Sequence, residues 1–253
     1  MSHFSVAVFS RSSDWDTIDE LLAPYSETTA NPDYLKFQPL KRTAEEIQET
    51  YENAKANYES FDAFMKDWYG AHFDEESKQW GFTCNPNAKW DWYEIGGRWF
   101  GELKLKAAGS GKSGTPSWTI HTTQDNHCDQ ALVKDIDFSE DADAYAKAIR
   151  FWEVVVDQVP LQEGEDSSSF TSLWKPEFYV ERYGSKEEYA HQNASFSTYA
   201  FVTAEGEWYS KGEMGWFGCG TDTRESSAEF QKKLEEYISE HPDMYITIVD
   251  CHI

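Results

Sequence analysis

The sequence predicts an α+β fold, in which a mixed or antiparallel sheet carries helices on one face. Three observations lead to this prediction. Segments with alternating apolar residues, the pattern of strands, lie near both ends of the chain. Segments with apolar residues at every third or fourth position, the pattern of helices, lie between them. Short glycine-containing turns join some neighbouring strand segments into hairpins, which a purely parallel sheet would not contain.

The N-terminal end is predicted to form a strand and then a helix. Residues 4–9 alternate large apolar residues with Ser5 and Ala7. A helix capped near Ser13 follows, and its apolar side is made of Trp15, Ile18, Leu21 and Leu22. Pro24 limits its continuation.

A long helix is predicted over residues 43–69. Thr43 and Glu46 have the spacing of a capping box, which marks a helix start. The apolar residues of this segment recur every three or four positions: Ile47, Tyr51, Ala54, Tyr58, Phe61, Met65 and Trp68. Such an aromatic stripe indicates core packing far more often than a cofactor site.

The middle of the chain is predicted to continue with a strand, a flexible segment and two helices. Residues 99–106 alternate as a half-buried strand does, and residues 107–116 are rich in glycine and serine. The GSGKS within them is not a phosphate loop, because Lys106 occupies the position where that loop needs its first glycine. Helices are expected at residues 140–157 and after a capping box that begins at Ser185.

The last sixty residues are predicted to form a hairpin, a helix and a final strand. The strands are expected at residues 198–203 and 207–210, the helix at 227–240 and the last strand at 244–253. Together with the N-terminal segments, this order suits a ferredoxin-like core in which the two terminal strands are neighbours. One domain, 1–253, is expected, with its core at about 1–106 and 196–253 and an inserted elaboration at about 107–195.

Composition excludes several classes of protein. The formal net charge of -24 repels a phosphate backbone, so general nucleic-acid binding is not expected. The acidic residues are spread among lysines, which favours a solubilising surface over a mimic of nucleic acid for a basic partner. No membrane span or signal peptide is recognisable, and the four cysteines lack metal or disulfide spacing. A reduced, cytoplasmic protein is therefore expected.

The first candidate site is NPNAKWDWYEIGGRWFG, residues 85–101. Its aromatic residues suit stacking on a planar ligand, and Arg98 suits bidentate pairing with a phosphate or carboxylate. Gly96 and Gly97 would let backbone amides approach such a ligand. The alternative is a core strand whose Arg98 forms a salt bridge with an acid. The aromatic residues concerned are Trp90, Trp92, Tyr93 and Trp99.

The second candidate site is KGEMGWFGCG, residues 211–220, which is called the glycine loop below. Four glycines in ten residues predict unusual backbone angles, and loops of this kind carry function more often than framework elements do. Trp216 would stack on a ligand, and Glu213 would bind a sugar hydroxyl or an amino group. The alternative is a tight connection in which Trp216 fills a gap.

The third candidate site is the C-terminal segment YITIVDCHI. On a strand, Asp250 and His252 share one face, so the carboxylate could orient the imidazole as a general base. The alternative is a surface pair at a mobile chain end. Cys84, His127, Cys128, Cys251 and His252 lack the short spacings of a zinc site, so no metal and no cofactor is expected.

The stretches NPNAKWDWYEIGGRW, GEMGWFG and VDCHI resemble those of a group of proteins encoded by tailed phages and prophages. The resemblance covers about a fifth of the chain. It implies an accessory phage protein that acts in the bacterial cytoplasm, and it assigns no catalytic residue. Such proteins often counteract host defence systems, several of which signal through nucleotide-derived messengers.

These observations predict a protein that sequesters, or cleaves, a small nucleotide-like anion. Trp90, Tyr93, Trp99 and Trp216 would stack on the ligand and Arg98 would pair with its phosphate. Asp250 and His252 would assist binding or acid-base chemistry. Two alternatives stay open: an acidic interaction protein that inhibits a host defence protein directly, and a metal-independent hydrolase that uses His252. The sequence predicts no oligomeric state.

Overall fold

A computed structural model describes residues 2–118, 125–215 and 219–253. The contacts within the chain divide it into two compact units. The larger unit is Met1–Leu22 with Trp92–Ile253, and the smaller unit is Ala23–Asp91. The single-domain arrangement stays a prediction. No helix in the described part of the chain is long and apolar enough to span a membrane.

Helices and strands alternate along the described residues, and the predicted α+β class is confirmed. The α-helices are α1 (Trp15–Leu22), α2 (Ala44–Ala54), α3 (Phe61–Trp68), α4 (Ala142–Val155), α5 (Pro176–Tyr183), α6 (Lys186–Ala194) and α7 (Arg224–Glu240). The strands are β1 (His3–Ser10), β2 (Lys36–Pro39), β3 (His72–Asp74), β4 (Gln79–Cys84), β5 (Trp92–Gly97), β6 (Leu103–Lys104), β7 (Gly111–Lys112), β8 (Thr115–Pro116), β9 (His127–Cys128), β10 (Gln130–Leu132), β11 (Ala200–Val202), β12 (Trp208–Ser210) and β13 (Tyr245–His252).

The larger unit is built on a mixed sheet with the strand order β12-β11-β1-β13-β10-β7. β1 pairs in parallel with β11 and antiparallel with β13. The predicted neighbourhood of the two terminal strands is therefore confirmed. His3 lies opposite His252, and Ser10 lies opposite Tyr245, so the two chain ends meet at one end of the sheet.

The second edge of β13 is shared by two strands. β10 pairs with the first part of β13, with Gln130 opposite Thr247. β5 pairs with the last part, with Ile95 opposite Val249 and Trp92 opposite His252. Because β10 occupies the rest of this edge, the chain must leave it at the end of β5. The Gly-Gly pair lies at this point of departure.

The core of the larger unit lies where α7 packs against the sheet. Phe230 and Leu234 of α7 contact a cluster of buried residues that includes Phe9, Ile246 and Ile248. Burial of each such side chain contributes about 1.5–3 kcal/mol. The intervening residues of the central strands, such as Val6 and Val249, are equally buried, so both faces of the sheet are covered.

The six-residue strand next to Arg98, β5, lies before this residue, whereas a longer strand is predicted after it. The sequence predicts a strand at residues 99–106, but the structure has only the two-residue strand β6 (Leu103–Lys104) and an isolated bridge at Leu105 there. Gly96, Gly97 and Gly101 have positive φ angles of 84°, 55° and 75°, which curl the chain into a turn. The Trp99 amide closes this turn by donating to the Gly96 carbonyl at 2.9 Å.

The smaller unit contains two helices where one long helix is predicted. The capping box of Thr43 and Glu46 starts α2 as expected. However, α2 ends at Ala54, and α3 starts after Ser60, whose hydroxyl accepts a hydrogen bond from the Ala63 amide. A serine offers this cap at low cost, so the helix restarts there. The aromatic stripe packs around Phe64, Met65 and Ala71, as core packing requires.

Candidate functional site

The Gly-Gly pair lies against two buried carboxylates. A Cβ atom at Gly97 would lie 2.4 Å from the Asp250 Cβ, and one at Gly96 would lie 3.1 Å from the Asp129 carboxyl carbon. Both positions also have positive φ, which glycine adopts most readily. The glycines thus bring the backbone close to acidic side chains of the same chain. The sequence suggested that they would bring it close to a ligand.

Asp129 connects three segments of the larger unit. This fully buried residue accepts hydrogen bonds from the Gly101 and Gly114 amides, one on each oxygen and both at 2.7 Å. Burial raises the pKa of Asp129, and these two hydrogen bonds act in the opposite direction. The carboxylate therefore satisfies donors of a turn that has left the sheet edge, which is a structural role.

Asp250 is buried to 98% and joins the two chain ends to the turn. Its Oδ1 lies 2.7 Å from His3 Nδ1, and its Oδ2 accepts a hydrogen bond from the Arg98 amide at 3.0 Å. The sequence suggested that Asp250 would orient His252. Among the described residues it binds His3 instead, because the antiparallel register places His3 diagonally across from it.

The rings of His3, Trp92 and His252 contact one another at the end of the sheet. Trp92 stacks on His252 with ring centroids 5.1 Å apart and an interplanar angle of 19°. His3 meets both rings edge-on, at 5.4 Å from Trp92 and 4.9 Å from His252. His252 is buried, whereas 44% of Trp92 is exposed. In the tautomer in which His3 Nδ1 donates to Asp250 Oδ1, Nε2 is the acceptor nitrogen of the His3 ring.

The Arg98 side chain is exposed, in contrast to its engaged backbone amide. Its guanidinium makes no hydrogen bond or ion pair with any residue that the structure describes. The salt bridge expected for a purely structural arginine is thus absent from this part of the chain. A cation without a partner, in a chain of net charge -24, is available to an anionic ligand.

Two of the predicted stacking residues lie elsewhere in the larger unit. Tyr93 points to the opposite face of the sheet from Trp92, and its hydroxyl bonds to Asp19 of α1. Burial, together with the Asp19 carboxylate, raises the pKa of Tyr93. Trp99 is partly buried and packs against the core cluster. The structure therefore does not group Tyr93 and Trp99 with Trp92.

The other three residues predicted to bind a ligand are Trp90, Trp216 and Glu213. Trp90 belongs to the smaller unit, where its carbonyl accepts a hydrogen bond from the Glu27 amide at 2.7 Å. Trp216 lies outside the described residues. The Glu213 backbone pairs with Thr221 through two hydrogen bonds of 3.0 Å.

The glycine loop does contact the N-terminal end of the chain. The Ser2 hydroxyl donates a hydrogen bond to the Gly215 carbonyl at 2.8 Å. Burial, with a smaller contribution from the Glu213 carboxylate, raises the pKa of Tyr199 to about 12. Part of the loop thus lies beside the residue that precedes His3, while Glu213 lies near Tyr199.

Sequence reasoning missed His3 and Asp129. His3 had an available signal, because two terminal strands that pair antiparallel bring the first and last residues together. Asp129 had none, because it lies between the short strands β9 and β10, which show no clear periodicity, and its partners are backbone amides. The described residues contain no group of three or more His, Cys, Asp or Glu that could hold a metal ion.

Comparisons of the chain with protein-family models, with curated proteins and with solved structures find no match.

Proposed function

We propose that this chain binds a small nucleotide-like anion at a surface formed by His3, Trp92, Arg98 and His252, named the terminal-strand site. Trp92 is 44% exposed, and a base would stack on the side of its indole that does not contact His252. The guanidinium of Arg98 suits bidentate pairing with a phosphate. This site keeps the predicted chemistry but replaces Trp90, Tyr93 and Trp99 with Trp92 as the stacking residue.

The observation that carries this proposal is the double hydrogen bonding of Asp250. One of its oxygens holds the His3 ring and the other holds the Arg98 backbone. Two residues that would contact the ligand are therefore positioned by the same buried carboxylate. Positioning before binding reduces the entropy that is lost when a ligand orders its site.

The charge of the chain limits the class of ligand. A net charge of -24 repels long polyanions, whose many phosphates would all meet this field. A small anion that interacts with one arginine experiences much less repulsion. Taken with the resemblance to phage proteins, this favours a role in the bacterial cytoplasm, where the chain would sequester a nucleotide-derived defence signal.

Cleavage of the same ligand is a second activity that the His3–Asp250 pair favours. In this step His3 Nε2 accepts a proton from water while the water oxygen forms a bond to phosphorus. The bond from phosphorus to the leaving oxygen breaks, and that oxygen then takes the proton from His3. Product release from the wild type, and none from His3→Gln, would support this activity. Binding without turnover would leave sequestration alone.

The binding proposal is tested by calorimetric titration with AMP, ADP, 3′,5′-cyclic AMP and cyclic di-AMP. We expect at least one nucleotide to bind the wild type and to raise its melting temperature. Loss of one charge-assisted contact in Arg98→Ala should weaken binding about 10- to 100-fold. Arg11→Ala is the matched control, because Arg11 is exposed and pairs with Glu205. No binding of any of the four, or equal binding by Arg98→Ala, would refute the proposal.

Direct binding to a basic host protein is a second candidate function, and an exposed apolar group favours it. Leu173 is 95% exposed and Trp174 is 59% exposed, and Trp174 stacks on Phe178 at 4.8 Å. Exposed groups of this kind often mark protein contacts, and the acidic surface would attract a basic partner. A salt-sensitive complex with a basic host protein that Trp174→Ser abolishes, and that Arg98→Ala retains, would support this function.

A further inference from the structure

A cavity of about 360 Å³ lies in the larger unit, away from the residues of the terminal-strand site. It is formed by α6, by the part of α7 from Arg224 to Glu235 and by the residues that flank the hairpin of β11 and β12. Its size falls within the range of small-molecule sites. Its polar lining includes Ser197, Lys211, Arg224, Ser227 and Gln231.

Lys211 is a largely buried cation without a carboxylate partner in the described chain. Its Nζ donates a hydrogen bond to Ser197 Oγ at 2.8 Å and lies 5.4 Å from the centroid of the Phe230 ring. Burial, with a smaller contribution from Arg182, lowers the pKa of Lys211 to about 8. At neutral pH most of the molecules therefore retain a positive charge here that no acid compensates.

The other basic residues that line this cavity differ from Lys211 because each has an acidic partner. Arg224 pairs with Glu188 at 2.6 Å, and Lys232 lies 3.7 Å from Glu236. His191 similarly lies 2.8 Å from Glu140. Among the described residues that line the cavity, Lys211 is therefore the basic residue without a carboxylate partner. An anion in the cavity would supply the missing charge.

Ser227 provides a second and independent sign of a ligand. Only 9% of this residue is exposed, and its Oγ has no hydrogen-bond partner among the described residues. Buried hydroxyls are nearly always hydrogen-bonded, so one that lines a cavity and lacks a partner indicates a missing acceptor. The Ser227 hydroxyl thus lacks a hydrogen-bond acceptor, and the Lys211 ammonium lacks a negatively charged partner. A carboxylate would supply both.

We propose that this cavity binds a small organic carboxylate, which accepts a hydrogen bond from Lys211 Nζ and, after a rotation of the Ser227 side chain that exposes its shielded hydroxyl, a second one from Ser227 Oγ. A single negative charge matches the single uncompensated cation. A phosphate dianion would leave an excess of negative charge beside Glu235, which also lines the cavity. The apolar part of the ligand would lie against Ala228 and the carbon chain of Gln231.

The test is a calorimetric titration with acetate, hexanoate, phenylacetate and inorganic phosphate at constant ionic strength. We expect hexanoate or phenylacetate to bind more tightly than phosphate, and binding to weaken as the pH rises above about 8, where Lys211 loses its proton. Lys211→Met should weaken binding at least tenfold, and Ser227→Ala at least threefold. Lys233→Met is the matched control, because Lys233 lies on α7, does not line this cavity and pairs with Glu229.

Four outcomes would overturn the proposal. These are the absence of binding by every carboxylate at 10 mM, tighter binding of phosphate than of carboxylates, equal binding by a folded Lys211→Met variant, or a loss as large in Lys233→Met. Because Lys211→Met replaces a buried charge with an apolar chain of similar length, it should fold. Ser227→Ala provides an additional variant that leaves all charges in place.

Discussion

Two glycine-rich segments look alike in sequence and differ in how their polar groups are satisfied. At the turn of residues 96–101, the buried carboxylates of Asp129 and Asp250 together hydrogen-bond three backbone amides and one imidazole. Every carboxylate oxygen there has a donor from the chain itself. The glycines of this turn are needed because these carboxylates lie so close to the backbone.

At Lys211, the first residue of the glycine loop, buried polar groups are not fully satisfied within the described chain. Lys211 lacks an acidic partner within the described chain, and the neighbouring Ser227 hydroxyl lacks an acceptor there. Glycine content therefore does not distinguish framework from function in this molecule. The distinction comes from whether the buried polar groups are satisfied within the chain. Four substitutions test this difference, and they differ in the loss of stability that each should cause.

The largest effect is expected for Gly97→Ala. The new Cβ would collide with the Asp250 side chain and would also require an unfavourable positive φ, so the free energy of unfolding should fall by about 3 kcal/mol or more. Gly70→Ala is the matched control, because Gly70 has a φ of 64° and open space around it. It should cost only about 1–2 kcal/mol. Urea unfolding that gives equal losses would show that the contact with Asp250 contributes nothing.

A smaller loss is expected for Asp129→Asn. The amide keeps one acceptor oxygen, but its NH₂ group would face a backbone N–H and leave that donor unsatisfied, at a cost of about 1–3 kcal/mol. Asp243→Asn, which breaks only an exposed pair with Lys134, should change the free energy of unfolding by less than about 1 kcal/mol. Equal effects of the two substitutions in urea unfolding would contradict a structural role for Asp129.

The sequence was sufficient for the parts of this fold that depend on periodicity. It predicted β1, α7 and β13 near their observed positions and the pairing of the two terminal strands. It did not predict the break between α2 and α3, because the aromatic stripe continues through Ser60 while the backbone does not. It placed a strand after Arg98, because the alternation of large and small residues there gives no sign of three positive φ angles.

The candidate sites were predictable only in part. Asp250 and His252 were recognisable as residues on one face of a strand, and Arg98 as a candidate for pairing with an anion. The partner of Asp250 was not, because His3 lies at the other end of the chain. The cavity around Lys211 could not be predicted either, because it depends on how α6 and α7 pack, and single-sequence patterns carry no such information.

A further prediction concerns Lys211 and the dependence of stability on pH. The pKa of Lys211 is lower in the folded state, about 8, than in the unfolded chain, where lysine titrates near 10.4. Between these values the unfolded state binds more protons, so stability should rise with pH.

The measurement for this prediction is urea unfolding of the wild type and Lys211→Met at pH 7 and pH 9.5. Burial and Arg182 lower the pKa of Lys211, and the other titratable or charged residues that line the cavity are Arg224, Lys232, His191, Glu188 and Glu235. The wild type should gain stability relative to the variant as the pH rises, by less than about 1.4 kcal/mol per pH unit. A stability difference that does not change with pH would contradict an uncompensated charge at Lys211.

The smallest effect on stability is expected for Arg98→Ala. Only the backbone amide of Arg98 bonds to Asp250, and alanine keeps this amide, so the free energy of unfolding should change by less than about 0.5 kcal/mol. Trp174→Ser, another change at an exposed side chain, serves for comparison. If urea unfolding showed a loss of more than 1 kcal/mol in the free energy of unfolding, the guanidinium would have a structural role in place of the proposed role in ligand binding.

The existence of two separate sites is tested by a calorimetric comparison of Arg98→Ala and Lys211→Met. The two ligands are phenylacetate and a nucleotide that binds the wild type. We predict that Arg98→Ala loses the nucleotide and keeps phenylacetate, and that Lys211→Met shows the reverse. If either variant retained both ligands, or lost both while remaining folded, the proposed division into a terminal-strand site and a separate carboxylate cavity would be wrong.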